Sequence, residues 1–199
     1  MNGKAHLLVG TATGAFLGMT LKSTLDANTV VAGAFAAGCM AGSLFPDIDT
    51  PSSYIGQAFP FISAPLNALC GHRGRKANGE YSGGILQGAV HAPLPYLLLL
   101  LFAGTVYRTV GLNLFVAIIA GFGLGGLLHL VQDMLTKSGI PILWPIFRRN
   151  LSICPMKTGS ILEIPISIAL VLLLVFAVLG HTSGTPISVS TASSIIRGL

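Results

Sequence analysis

Acidic and imidazole side chains lie at the ends of this chain's uncharged, apolar stretches, where such residues are scarce. The 199 residues include only six Asp+Glu and five His, so their concentration at these positions does not follow from abundance. Carboxylate and imidazole groups together form coordination shells for divalent ions. Ionisable groups are costly inside or beside a bilayer, so a functional interpretation is the default there. These residues predict a metal site at one edge of a membrane, with the candidate ligands Asp47, Asp49, His72, His91, His129, Asp133 and, more weakly, His6.

Two spacings within this set are informative. Asp47 and Asp49 form a D-x-D at a predicted helix end, which could direct both carboxylates at one ion or could simply stop the helix. His129 and Asp133 are four residues apart in an apolar stretch, so they share one face of a helix about one turn apart. The alternative for this pair is a hydrogen bond that stabilises the bundle. His91 alone is more typical of a histidine in helix packing than of a ligand.

Three further residues could act on a substrate. Arg73 lies between His72 and Gly74, and its guanidinium suits bidentate binding of a phosphate, although such arginines also meet lipid headgroups. Lys157 could assist Arg73 in stabilising a developing charge. Glu163 could orient a ligand histidine or act as a base; the alternative is a carboxylate that meets a helix dipole.

Composition places the chain in a membrane. It is 52% hydrophobic and only 9% charged, whereas roughly 25% of residues are charged in soluble domains. The positive residues behind the net charge of +5 lie in short segments between apolar runs. This distribution is typical of the loops of a membrane protein and not of a nucleic-acid-binding surface. Three cysteines without a C-x-x-C spacing indicate neither a disulfide framework nor a zinc knuckle.

The apolar runs predict an all-α, polytopic helix bundle. A bilayer core of about 30 Å needs roughly 20 apolar residues as helix. The first run is short and could pack inside the bundle, and we interpret it as an uncleaved helix and not a secretory signal. We therefore expect four to five transmembrane helices and an interfacial region over residues 47–80. We expect residues 1–180 to form one membrane-embedded domain and residues 181–199 to form a polar, flexible tail. The runs are residues 5–21, 27–46, 81–107, 109–132 and 164–196.

The distribution of positive charge predicts sidedness. With five spans, the N-terminus and the loops at 47–80 and 137–157 share one side, which carries eight of the eleven Lys and Arg residues. The positive-inside rule makes that side cytoplasmic. Every candidate ligand is predicted to lie at this same face, which points to a multi-pass membrane protein with its site facing the cytoplasm. The eight are Lys4, Arg73, Arg75, Lys76, Lys137, Arg148, Arg149 and Lys157.

Taken together, the motifs resemble those of the YdjM-like family, described as LexA-regulated, membrane-bound, metal-dependent hydrolases. The matching segments cover most of the chain. They are Ala5-His6-Leu7-Leu8, Pro46-Asp47-Ile48-Asp49, Gly71-His72-Arg73-Gly74, His129-Leu130-Val131-Gln132-Asp133, Gly139-Ile140-Pro141 and the later Lys157-x-Gly159 with Glu163.

The family pattern His-Arg-Gly-x-Thr-His-Ser is interrupted in this chain. Position 77 is Ala77, and the next histidine is His91, which precedes an apolar run as the family's histidine does. We infer an insertion over residues 75–89, with His91 taking over the role. Val90 and Ala92 stand where the family has Thr and Ser, which removes any hydroxyl contribution from those positions.

The resemblance implies hydrolysis supported by one or two divalent ions, with zinc or manganese suited to mixed nitrogen and oxygen ligands. An interfacial site favours membrane lipids as partners and a lipid or lipid-linked phosphoester as substrate, with no nucleic acid. Oligomeric state and substrate identity do not follow from the sequence. Two alternatives stay open: an ion-binding or transport protein, and a structural membrane protein with a degenerate metal site.

Overall fold

The computed structural model describes residues 2–70, 85–147, 149–154 and 156–182. Within these ranges the chain folds into α-helices joined by a 3-10 turn and loops, with two isolated β-bridges and no strand. The all-α prediction is therefore confirmed. The helices are α1 Gly3–Thr24, α2 Thr29–Leu44, α3 Tyr54–Ala58, α4 Pro60–Cys70, α5 Ile85–Val90, α6 Pro93–Val110, α7 Leu114–Met134 and α8 Glu163–Thr182, and the 3-10 turn is Phe45–Asp47.

Asparagine side chains cap the first residues of three long helices, α1, α2 and α7. The first backbone N–H groups of a helix have no partner within it, so an oxygen from the preceding residue stabilises the end. Asn2 accepts from the N–H of Ala5, and Asn28 and Asn113 cap α2 and α7 in the same way.

Three described helical segments are long and apolar enough to cross a membrane: Thr29–Asp47, Pro93–Val110 and Leu114–Met134. The apolar part of α8, Glu163–Leu179, is shorter. Although α1 is not among the three, it runs antiparallel along α2, since Gly10 lies against Ser43 and Gly18 against Ala32. The first run is thus a helix that packs against α2 through its small residues.

Small residues allow the central helices to approach closely. At Gly42 of α2, an added Cβ would lie 2.8 Å from the carbonyl carbon of Phe122 in α7, so only glycine fits at this contact. Gly125 of α7 lies equally close to the backbone of Cys39 in α2. The glycine-rich stretch of α7 therefore serves helix packing, with α2, α6 and α1 as its neighbours.

The third apolar run is broken near Pro93 and is not one continuous helix. It is divided into α5 and α6, and His91 and Ala92 form the turn between them. Pro93 is the first residue of α6, and a proline disfavours helical geometry in the residue before it; Ala92 accordingly is extended, with φ −99° and ψ 149°. The break places His91 at the end of the bundle. Residues 71–84, and the polar tail from residue 183 onward, lie outside the described ranges.

Candidate metal centre

Alternating helix directions bring five predicted ligands to one end of the bundle. His6 lies in the first turn of α1, Asp47 ends the 3-10 turn after α2, and His91 precedes α6. His129 and Asp133 lie in the last two turns of α7. Helices that start at this end alternate with helices that finish here, so residues far apart in sequence meet.

The imidazole nitrogens face the carboxylates at nearly uniform distances. Asp133 has one oxygen 3.4 Å from His6 Nε2 and the other 3.5 Å from His129 Nε2. Oδ1 of Asp47 lies 3.6 Å from His91 Nε2 and 3.9 Å from His129 Nε2. These distances exceed the roughly 2.7–3.2 Å of a hydrogen bond. In a tetrahedral zinc site, metal–ligand bonds of about 2.0–2.1 Å place the ligand atoms about 3.3 Å from one another. The nitrogen–oxygen distances observed here are close to that value.

The orientation of His129 is set by the end of α2. Its Nδ1 lies 2.8 Å from the carbonyl oxygen of Ser43. A carbonyl only accepts, so Nδ1 carries a proton, and Nε2 is the nitrogen that a metal ion would bind when the ring is neutral. Ser43 is in the last turn of α2, where carbonyl groups lack intrahelical partners. Nε2 of His129 is buried and has no hydrogen-bond partner among the described residues.

Gln132 orients His6 in a similar way. The Nε2 amide of Gln132 donates to the carbonyl of Ala5 at 3.2 Å and to Oγ of Ser167 at 3.3 Å. Its Oε1 therefore accepts from Nδ1 of His6 at 2.8 Å. Nε2 of His6 then faces Asp133, in a buried position without a hydrogen-bond partner in the described part of the chain.

The donor atoms fit a divalent ion. Two groups have all their donor atoms within 4.8 Å of one another, His6 with Asp47 and His129, and His91 with His129 and Asp133. His129 belongs to both groups, and its ring stacks on that of His6 with centroids 3.7 Å apart. Three imidazoles and two carboxylates form a nitrogen-oxygen set that zinc and manganese accept.

The charge of the centre supports the same interpretation. Two carboxylates lie beside the histidines in a nearly dry environment: the side chain of Asp133 is 3% exposed and that of Asp47 16%. Burying a carboxylate is costly unless a positive charge or hydrogen bonds compensate it. A divalent cation bound by the imidazoles and carboxylates would contribute such compensation.

Other predicted site residues lie elsewhere or outside the described ranges. Asp49 is buried and its Oδ1 accepts from the hydroxyl of Thr50 at 3.3 Å; it belongs to neither donor group among the described residues. Lys157 is exposed. His72 and Arg73 lie outside the described residues.

Glu163 occupies a structural position at the start of α8. It is fully buried, and its two oxygens accept from the backbone N–H groups of Asn2 at 3.1 Å and Gly159 at 2.9 Å. These contacts join the starts of α1 and α8 beside the centre. They are the contacts of a carboxylate that stabilises helix ends.

Two residues that position the centre were not predicted from the sequence. Gln132 had a recognisable signal, because it is a polar residue between His129 and Asp133 in an otherwise apolar span. The Ser43 contact had none, because its backbone carbonyl, and not its side chain, holds His129.

Fold and site together define a class: an α-helical membrane protein with an imidazole and carboxylate cluster buried at one end of its bundle. The family described as YdjM inner membrane protein matches residues 1–196, and the chain belongs to this family. The family and the apolar helices place it in the bacterial inner membrane.

Curated relatives agree with this assignment. Inner membrane protein YdjM of Escherichia coli (strain K12) is 37% identical over 130 residues, which cover 64% of this chain and 58% of the relative. The protein of the same name from Shigella flexneri gives the same values. Uncharacterized protein YvsG of Bacillus subtilis (strain 168) is 30% identical over 128 residues, or 64% of this chain and 68% of the relative. The chain thus spans less than two thirds of the length of the two YdjM proteins. No solved structure matches it.

Proposed function

We propose that the chain is a metal-dependent hydrolase that acts at the cytoplasmic face of the inner membrane on a lipid or lipid-linked phosphoester. The observation that carries the proposal is the buried cluster of three imidazoles and two carboxylates, whose facing atoms are 3.4–3.9 Å apart. Hydrolysis itself is suggested by the family resemblance of the motifs.

Each ligand would have a defined part. His6, Asp47, His91, His129 and Asp133 would hold one or two ions of zinc or manganese, with His129 common to both donor groups. When bound, the ion would supply Lewis acidity, which activates water and polarises the bond to be cleaved. Ser43 and Gln132 keep the imidazoles of His129 and His6 in the tautomers that ligation needs. Asp47 is the more exposed of the two carboxylates, so the substrate would approach from its side.

Positive side chains would hold the substrate. Arg73 and the exposed Lys157 are proposed to bind and stabilise the phosphoryl charge. Since the centre lies at the end of apolar helices, a substrate anchored in the bilayer would reach it without leaving the membrane surface.

The position of the centre argues against a transport function. Sites for transported ions lie near the middle of the membrane, with access from both faces. Here all five ligands lie at the ends of their helices.

Metal content tests the first half of the proposal. Elemental analysis of the detergent-purified protein should find a tightly bound divalent ion that is lost in His129→Ala and in Asp47→Asn. His181→Ala is the matched control, because His181 lies in the last turn of α8, at the opposite end of the bundle. Equal metal content in all four proteins would contradict a metal centre at this position.

Activity tests the second half. The metal-loaded protein should release product from a phosphodiester or phospholipid substrate in mixed micelles, and His129→Ala should not. A fully metal-loaded protein that cleaves none of a panel of phosphoesters would refute the proposed phosphoester hydrolysis while leaving the metal centre intact.

A further inference from the structure

An apolar surface remains exposed at the same end of the bundle as the metal centre, on a segment that does not span the membrane. The connection between α7 and α8 presents Ile146 with 79% and Ile153 with 66% of their surfaces exposed. A cluster of large apolar side chains outside the spans marks a surface for a membrane or a partner.

Part of this surface is a groove. It has a volume of about 530 Å³, within the range of about 300–1,000 Å³ for ligand sites. Its walls are apolar except for two polar residues. The lining residues are Ile142, Leu143, Phe147, Arg149, Asn150 and Leu151.

The groove is attached to the core that supports the metal centre. Ile142, on its wall, packs against the buried cluster of Tyr96, Leu130 and Ile140. Leu130 directly follows His129 in α7, and the hydroxyl of Tyr96 donates to the carbonyl of Val90, next to His91, at 2.8 Å. A molecule bound in this groove would therefore lie beside α7 and the turn before α6, which carry the proposed metal ligands His129 and His91.

The charge at this end of the bundle identifies the occupant. Among the described residues here, the basic side chains Lys4, Lys137, Arg149 and Lys157 are exposed, whereas the acidic ones, Asp47, Asp49, Asp133 and Glu163, are buried or largely buried. The surface that meets solvent is thus positive. The opposite end exposes side chains of both charges: the basic Lys22 and Arg108 and the acidic Asp26. Basic side chains at a membrane surface attract anionic lipids.

We propose that this groove binds an anionic phospholipid, with an acyl chain along Ile142, Leu143 and Phe147 and the phosphate at Arg149. The apolar walls match the chain, and the guanidinium of Arg149 matches the phosphate. That this lipid is also the substrate rests on the proposed function, but its binding does not.

The fluorescence of Trp144 can report lipid binding directly. Trp144 is the only tryptophan of the chain, and in sequence it lies between the lining residues Leu143 and Phe147. The full-length protein is placed in detergent micelles with increasing amounts of brominated phosphatidylglycerol or brominated phosphatidylcholine, whose bromines quench indole fluorescence. We expect brominated phosphatidylglycerol to reach half-maximal quenching at a mole fraction several-fold lower than brominated phosphatidylcholine. Equal mole fractions for the two lipids would overturn the proposal.

Variants test the groove itself. Arg149→Gln should raise the half-quenching mole fraction of phosphatidylglycerol about five-fold, the effect of one basic side chain near an anionic surface, without changing that of phosphatidylcholine. Arg108→Gln, an exposed arginine at the other end, is the matched control and should change neither. If both arginine variants respond equally, the preference is not located in this groove.

Parallel metal analysis separates this proposal from the proposed function. His129→Ala should lose metal but keep the preference for the anionic lipid. Arg149→Gln should keep its metal. Loss of the lipid preference in Arg149→Gln with full metal content supports the groove independently of hydrolysis, whereas an intact preference in that variant refutes it.

Discussion

Replacing Gln132 by leucine should weaken metal binding although Gln132 is not a proposed ligand. Its side chain joins three helices: it accepts from His6 in α1 at 2.8 Å, donates to the carbonyl of Ala5 at 3.2 Å and donates to Ser167 in α8 at 3.3 Å. Leucine is of similar size but makes none of these contacts. The imidazole of His6 would then lose the acceptor that holds its Nδ1 proton.

The expected loss follows from that role. Removing the residue that orients a metal-binding histidine costs about 10–100-fold in affinity, or about 1.4–2.8 kcal/mol. His129→Ala should cost more, because it removes a donor shared by both groups. Gln132→Leu also leaves Nδ1 of His6 buried without a partner, which destabilises the fold by about 1–3 kcal/mol.

Competition with a chromophoric chelator measures the affinity, and thermal unfolding in detergent measures the stability. Gln132→Glu keeps an acceptor for His6 and should recover much of the affinity, an outcome that a purely structural role does not predict. Gln57→Leu is the control, since that amide is exposed and bonds only to the carbonyl of Ser52. A folded Gln132→Leu protein with the affinity of the unaltered chain would refute this reasoning.

Three further predictions concern the centre, the packing and the topology. His91→Ala should weaken metal binding more than 100-fold, beyond the range of an orienting residue, and behaviour like that of His181→Ala would show that His91 has not inherited the ligand role. Gly42→Ala should lower the free energy of unfolding by about 1–3 kcal/mol, because the added methyl group meets the backbone of α7. Gly33 faces open space, so Gly33→Ala should not have this effect, and equal melting temperatures for the two variants would contradict the packing. In a background without native cysteines, Ser138→Cys should resist an impermeant thiol reagent applied to intact cells while Ser23→Cys reacts, and the reverse pattern would invert the proposed sidedness.

Much of the architecture could be predicted from residue type and spacing. The length of an apolar run is a local property, so membrane spans are visible in the sequence. An antiparallel order of helices then brings every second helix end to the same face, which is why His6, His91 and His129 were expected together. The four-residue spacing of His129 and Asp133 also predicts their contact, observed at 3.5 Å.

The tertiary structure decided which atoms meet. The rotation of each helix depends on how its small residues pack, as at Gly42 and Gly125, and this rotation is not a local property. It directs Asp47, but not Asp49, into the donor groups, and it stacks the ring of His6 on that of His129. It also provides a backbone carbonyl, that of Ser43, as the partner of His129. Every residue has such a carbonyl, so its use here depends on the distance between two helices and not on the identity of the residue.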